Sequence, residues 1–172
     1  MISNNNLYYI EIDQKKFKCQ IGLNGMVIPN EKIEGDKKTP MGKWQFNSIY
    51  YREDKIDINL YSHNSSFEYK KITKNCGWCD DVKSKYYNQY VSVDRYKDLT
   101  FSFENLWRHD DVYDIIIVSN YNSNPIIKNK GSAIFIHCSF QDLRSTAGCI
   151  ALEKSDLIHL ISKLTPKTHI IF

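Results

Sequence analysis

The chain opens on two short alternating runs, Leu7 to Ile12 (LYYIEI) and Lys16 to Ile21 (KFKCQI), divided by Asp13-Gln14-Lys15, a pattern that predicts a β-hairpin. Turn residues follow at Gly22, Asn24, Gly25, Pro29 and Asn30, then at Gly35-Asp36, Thr39-Pro40 and Gly42, before an aromatic strand from Lys43 to Tyr51. From Arg52 to Lys97 the chain is polar, rich in Tyr and without a sustained period, and it reads as a long excursion. Near-continuous apolar runs at Val112 to Val118 and Ser132 to His137 predict central strands covered on both faces. A short Ile150-Ala151-Leu152 segment precedes the clearest helix. Leu157, Ile158, Leu160, Ile161 and Leu164 share one face, Glu153 or Ser155 is placed to cap it, and Pro166 stops it. Thr168 to Phe172 reads as a last strand.

With 172 residues, the chain is expected to form one domain, 1 to 172, burying roughly 70% of its unfolded surface. The net charge of +3 is too weak to argue for nucleic acid or an anionic membrane as partner. Neither a spanning apolar run nor, in the first sixteen residues, the features of an export signal are present, so the expected setting is cytoplasmic, away from the membrane. Cys19, Cys76, Cys79, Cys138 and Cys149 form an odd set, which speaks against a disulfide framework.

The stretch from Gly131 to Leu152 carries the clearest chemistry. A buried strand delivers His137, a polar loop follows, and Ser145-Thr146-Ala147-Gly148 leads to Cys149, twelve positions after the histidine. An imidazole favours thiolate formation, and small residues before a cysteine let backbone N–H groups approach a substrate oxygen. Either residue alone is more often structural. Cys76-Gly77-Trp78-Cys79 has the spacing of a redox pair or half a zinc site, but no second pair completes a metal site and no βαβ pattern surrounds it. No metal and no cofactor are therefore expected.

His137 together with Thr146-Ala147-Gly148-Cys149-Ile150 resembles the HX(n)[ST]xGC[IV] signature of the L,D-transpeptidase, or YkuD-like, catalytic domain. Gly35-Asp36 through Thr39-Pro40-Met41-Gly42 resembles the family's GDxxTPxG loop. Tyr51-Arg52, Gly77 to Asp81, Tyr87-Asn88, Leu106-Trp107-Arg108 and Gly131 to Phe135 resemble a stand-alone bacterial subgroup. The resemblance implies a mainly β, sandwich-like fold with a small helix. It also implies a cysteine that attacks the carbonyl between an L-centre, usually of diaminopimelate, and a following D-Ala in peptidoglycan stems, and covalent capture by carbapenems. On this reading Cys149 is the nucleophile and His137 the base, oriented by the carbonyl of Cys138 or Ser139. N–H groups from Thr146 through Cys149, Ala147 and Gly148 included, bind the oxyanion.

Arg52, Arg108 and Arg144 are candidates for gripping a substrate carboxylate, because a guanidinium meets a carboxylate in a two-point fork. Asp80 and Asp81 are candidates for the free amine of diaminopimelate, with Trp78 as a pocket wall. His63, His109, His159 and His169 have no motif around them. Most cross-linking members of the family it resembles carry Arg directly after the Gly-Cys-Ile/Val triplet, where this chain has Ala151. That departure and the cytoplasmic expectation favour an L,D-carboxypeptidase that releases D-Ala from tetrapeptide fragments in murein recycling. A cross-linking or D-amino-acid-exchanging envelope transpeptidase is the first alternative, and a silent muropeptide-binding module the second.

Overall fold

The computed structural model of the chain describes residues 8–12, 14–60, 67–95, 100–165 and 167–171. His63, the helix stop at Pro166, the start before Tyr8 and part of the polar excursion lie outside the described residues.

The hairpin forms as the alternation predicts: β1 (Tyr8–Ile12) pairs antiparallel with β2 (Lys15–Gln20), and Gln14 in the connection has a φ of 67°. Two short strands, β3 (Met26–Val27) and β4 (Thr39–Pro40), pair in parallel across the Gly-Asp loop. The aromatic run divides at Gln45, whose N–H turns to Asn120 Oδ1 at 2.9 Å, giving β5 (Lys43–Trp44) and β6 (Phe46–Tyr51).

The stretch from Arg52 to Lys97 is not a plain excursion. It supplies β7 (Glu68–Lys71), parallel to β6, then β8 (Cys76–Cys79) and β9 (Tyr90–Ser92), which with β10 (Phe103–Asn105) form a separate three-stranded sheet in the order β10-β8-β9. Strands of three or four residues are too short to show a period of two. The middle strand also needs a glycine, because a Cβ on Gly77 would stand 2.6 Å from Phe103 Cδ2.

The central strands start later than their apolar runs. β11 (Ile115–Ser119) follows a turn at Asp114, whose carboxylate takes the Lys154 ammonium at 2.7 Å. β12 (Phe135–Cys138) begins only after Ala133, whose φ of 51° leaves the strand region. β13 (Ile150–Leu152), α1 (Lys154–Lys163) and β14 (Ile170–Ile171) complete the chain. Glu153 stands at the N-cap of α1 without a capping side-chain bond; Asp156 in the first turn and Lys163 in the last suit the helix dipole.

The principal sheet runs β1-β2-β13-β12-β11-β6-β7 and is covered on both faces, as the continuous apolar runs predict. Ile115, Ile117, Ile136, Cys138, Ile150 and Leu152 point into one core with Leu157, Leu160 and Ile161 of α1. Ile116, Val118, Phe135 and Cys149 belong to the other, beneath Cys76 and Leu106 of the small-sheet region. The fold is thus mainly β with one short C-terminal helix, consistent with a β-sandwich. Because strand residues alternate between faces, His137, set between Ile136 and Cys138, points to the face that carries Cys149. No helix among the described residues is long and apolar enough to cross a membrane.

Candidate active site

β12 and β13 are adjacent and parallel, with Ile136 facing Ile150 and His137 facing Ala151. Cys149 immediately precedes β13, so this register brings it beside Phe135 at the start of β12. Its thiol donates to the Ala133 carbonyl at 3.0 Å, and Phe135 N–H donates to its sulfur at 3.4 Å. The left-handed conformation of Ala133 turns that carbonyl toward the thiol. His137 and Cys149 line one cleft of about 360 Å³ together with Arg108, Tyr113, Phe140 and Ala147.

His137 Nδ1 lies 2.8 Å from the Cys138 carbonyl, one of the two orienting groups expected from the sequence. The carbonyl can only accept, so Nδ1 carries the proton and Nε2 is the basic nitrogen. Tyr113 and Phe140 hold the ring edge-on, at 5.2 and 6.4 Å between centroids. Burial lowers the imidazole pKa to about 4, against the Cys138 carbonyl, which favours the protonated ring. Burial pushes the Cys149 thiol the other way, up to about 12, with Glu104 adding in the same sense. The resting site is therefore a neutral thiol beside a neutral imidazole, and the proton has to move as the carbon–sulfur bond forms.

The loop before Cys149 is clamped by two hydroxyls. Thr146 Oγ1 donates to the Cys149 carbonyl at 2.6 Å and accepts from Gly148 N–H at 3.1 Å. Thr39, fully buried, accepts from Gly22 N–H at 2.8 Å and donates to the Gly148 carbonyl at 2.9 Å. Gly148 is required here: its φ is 139°, and a Cβ would stand 3.0 Å from the Lys38 carbonyl oxygen. These contacts amend the oxyanion expectation. Thr146 N–H is already spent on the Ile21 carbonyl at 2.9 Å, and Gly148 N–H on the Thr146 hydroxyl. Among the described residues, the N–H groups of Ala147 and Cys149 remain for a substrate oxygen.

The substrate-binding candidates separate. Arg108 and Asp80 line the cleft. Arg108 is paired with Asp110, through Nε at 2.9 Å and through Nη2, and lies 5.0 Å from the Tyr113 ring centroid. Asp80 accepts from Ser102 Oγ at 2.5 Å. Arg52 lies elsewhere: it is buried, forked onto Asp54 at 2.7 and 2.6 Å, bonded to the Arg108 carbonyl at 2.7 Å and stacked 3.5 Å over Trp107. Its guanidinium is engaged by three hydrogen bonds and a ring stack away from the thiol cleft. Arg144 is exposed, 3.8 Å from Asp142 and stacked on Phe140 beside the cleft rather than in it. Asp81 accepts from Lys83 N–H at 2.8 Å and closes a turn. Trp78 does not face the thiol; it supports the site from behind, edge-on to Phe135 at 5.1 Å and donating to Asn88 Oδ1 at 2.9 Å.

Cys76 and Cys79 are three apart on β8 and so point to opposite faces, which removes both the redox and the zinc-ligand readings of that pair. All five cysteines are free. No group of His, Cys, Asp and Glu that could hold a metal ion is found among the described residues.

Glu34, Lys37 and Glu104 line the cleft without having been singled out from the sequence. Glu104, reached by the Tyr113 hydroxyl at 2.5 Å, is raised above the usual carboxylate range by burial. Glu34 and Lys37 on loops and Glu104 on the three-residue β10 carry no sequence pattern, whereas Thr39 stands in the Thr-Pro-Met-Gly motif. Thr39→Val is expected to cost about 1–3 kcal/mol in chemical denaturation, because it strands the buried Gly22 N–H and the Gly148 carbonyl. It should also slow acylation of Cys149, and Thr39→Ser should recover most of both.

A family model described as the L,D-transpeptidase catalytic domain, YkuD, matches residues 2–171. No curated protein and no solved structure gave a match.

Proposed function

This chain belongs to the L,D-transpeptidase catalytic-domain family, YkuD, and from that premise we propose that it cleaves peptidoglycan stem peptides between the L-centre of diaminopimelate and the following D-Ala, through a thioester on Cys149. The carrying observation is the pairing in one cleft of the Cys149 thiol with a histidine whose Nδ1 is fixed on the Cys138 carbonyl. His137 takes the thiol proton as sulfur adds to the carbonyl, the N–H groups of Ala147 and Cys149 receive the oxyanion, and the same imidazole returns the proton to the departing amine of D-Ala. Arg108 and Asp80, which both line the cleft, are the proposed partners of a carboxylate and an amine of the substrate.

Water is the favoured acyl acceptor, which makes the activity that of an L,D-carboxypeptidase in cytosolic murein recycling. Transfer requires an amine held near the thioester while water, at roughly 55 M, is excluded, and only binding supplies the necessary effective molarity. Ala151, directly across from His137 on the next strand, replaces the guanidinium that cross-linking members carry at this position. Transpeptidation is the second reading, and Arg108 favours it by bringing a guanidinium into the same cleft from a different segment.

Incubation with a disaccharide-tetrapeptide, with and without a D-amino acid, read by mass spectrometry, separates the two. Tripeptide plus D-Ala is expected as the main product, with exchange a minor one. A dominant cross-linked dimer or exchanged tetrapeptide would reverse the assignment of the acceptor while leaving Cys149 and His137 in their roles.

A further inference from the structure

Behind the wall of the thiol cleft lies a second one of about 270 Å³, and Ile134 lines both. The two differ in chemistry. Glu34, Lys37, Asp80, Glu104 and Arg108 line the first, whereas among the described residues the one charged side chain on the second is Lys70, itself paired with Glu68 at 2.9 Å. The second cleft is lined instead by Tyr50, Trp78, Tyr90 and Tyr121, with the exposed amides Asn47 and Gln89.

The aromatic rings are held in place. Tyr90, 40% exposed, stacks on buried Tyr50 at 5.8 Å between centroids with 26° between planes. Tyr50 meets Trp78 edge-on at 6.4 Å, and Trp78 meets Phe135, whose N–H donates to Cys149. A rigid aromatic surface costs little entropy to occupy. It suits a ligand with a flat, C–H-rich face, and amides around it suit hydroxyl and acetamido groups.

We propose that this second cleft is a saccharide subsite that takes the neutral, N-acetylated sugar of a muropeptide while the stem lies in the thiol cleft. The inference rests on the peptidoglycan reading above. Three stem residues in extended form reach roughly 10 Å, and the wall to be crossed is the segment at Ile134. Charge sorts the substrate accordingly, the zwitterionic end of the stem into the charged cleft and the uncharged sugar into the aromatic one.

The test titrates the full chain with the β-1,4 tetramer of N-acetylglucosamine, with a maltose oligomer of the same length as control, following tryptophan emission. Saturable binding of the first and not the second is expected, weakened roughly fivefold to tenfold in Tyr90→Ala and also weakened in the exposed-site variant Gln89→Ala. In kinetics, Tyr90→Ala should raise KM for a disaccharide-tetrapeptide severalfold more than KM for the free tetrapeptide. Absence of saturable binding by the wild type into the millimolar range overturns the subsite, as does undiminished binding by both variants. Intact mass distinguishes the two failures: a stem-derived adduct on Cys149 without saccharide binding removes the subsite alone, and saccharide binding without any adduct removes the reaction alone.

Discussion

Cys149→Ala is expected to abolish turnover, by on the order of 10⁴-fold or more, while the protein remains folded. A thioester needs a thiol, and among the described residues Cys149 is the one cysteine that lines the cleft. The thiol also has a structural share: it donates to the Ala133 carbonyl and its sulfur accepts from Phe135 N–H, so its loss should cost about 1–3 kcal/mol in denaturation. Cys149→Ser should be equally inert, because an alcohol is far harder to deprotonate and the buried His137 is a weak base. A carbapenem should leave a single adduct on the wild-type chain by intact mass and none on Cys149→Ala. Cys76→Ser and Cys79→Ser should keep activity. An adduct that forms equally fast on Cys149→Ala would place the reactive thiol elsewhere and remove the assignment.

His137→Gln should slow acylation by roughly 10²- to 10⁴-fold, the usual worth of a positioned base. The pH profile adds a sharper signature. His137 accepts a proton only when neutral, and burial holds its pKa at about 4, so the acid limb of kcat/KM should fall near pH 4. A limb near 6.5 would show an ordinary, solvated histidine and overturn the buried-base reading. With the Cys149 thiol pushed up to about 12 by burial, alkylation by iodoacetamide should keep accelerating beyond pH 9. Stability follows the same shift. The unfolded histidine binds a proton below about 6.5 and the folded one only below about 4, so its contribution is complete above pH 6.5. Roughly 3 kcal/mol is lost as pH falls across that window.

What could be read in the sequence divides along a physical line. Strands buried on both faces leave continuous apolar runs, so β11 and β12 were legible, and the helix was marked by Leu157, Leu160 and Ile161 at helical spacing. Their starts were not, because Ala133 leaves the strand region by a backbone turn that its side chain does not announce. The small sheet was hidden for another reason: β8 is flanked by β10 and β9, and Phe103 lies close over Gly77, contacts between residues distant in sequence. At the site, Cys149 and His137 stood out through spacing and family resemblance. The arginines did not sort themselves, since a guanidinium forked onto Asp54 and stacked on Trp107 has the same letter as one lining a cleft. Glu34, from a loop, and Glu104, from β10, meet only at the cleft wall, a convergence that single positions cannot reveal.

The hydroxyl of Thr39 that holds the Gly148 carbonyl reaches across 109 positions of chain, and the Thr146 backbone is bonded in the same way to Ile21 and Leu23. Closures of that span come late in folding, after local hairpins and helices have formed. Until they close, the loop before Cys149 lacks the clamp from Thr39 and its ties to Ile21 and Leu23. In the finished chain all five cysteines are buried and free. The placement of the Cys149 loop thus depends on contacts with the first forty residues, so a chain that has not closed them is expected to be inactive.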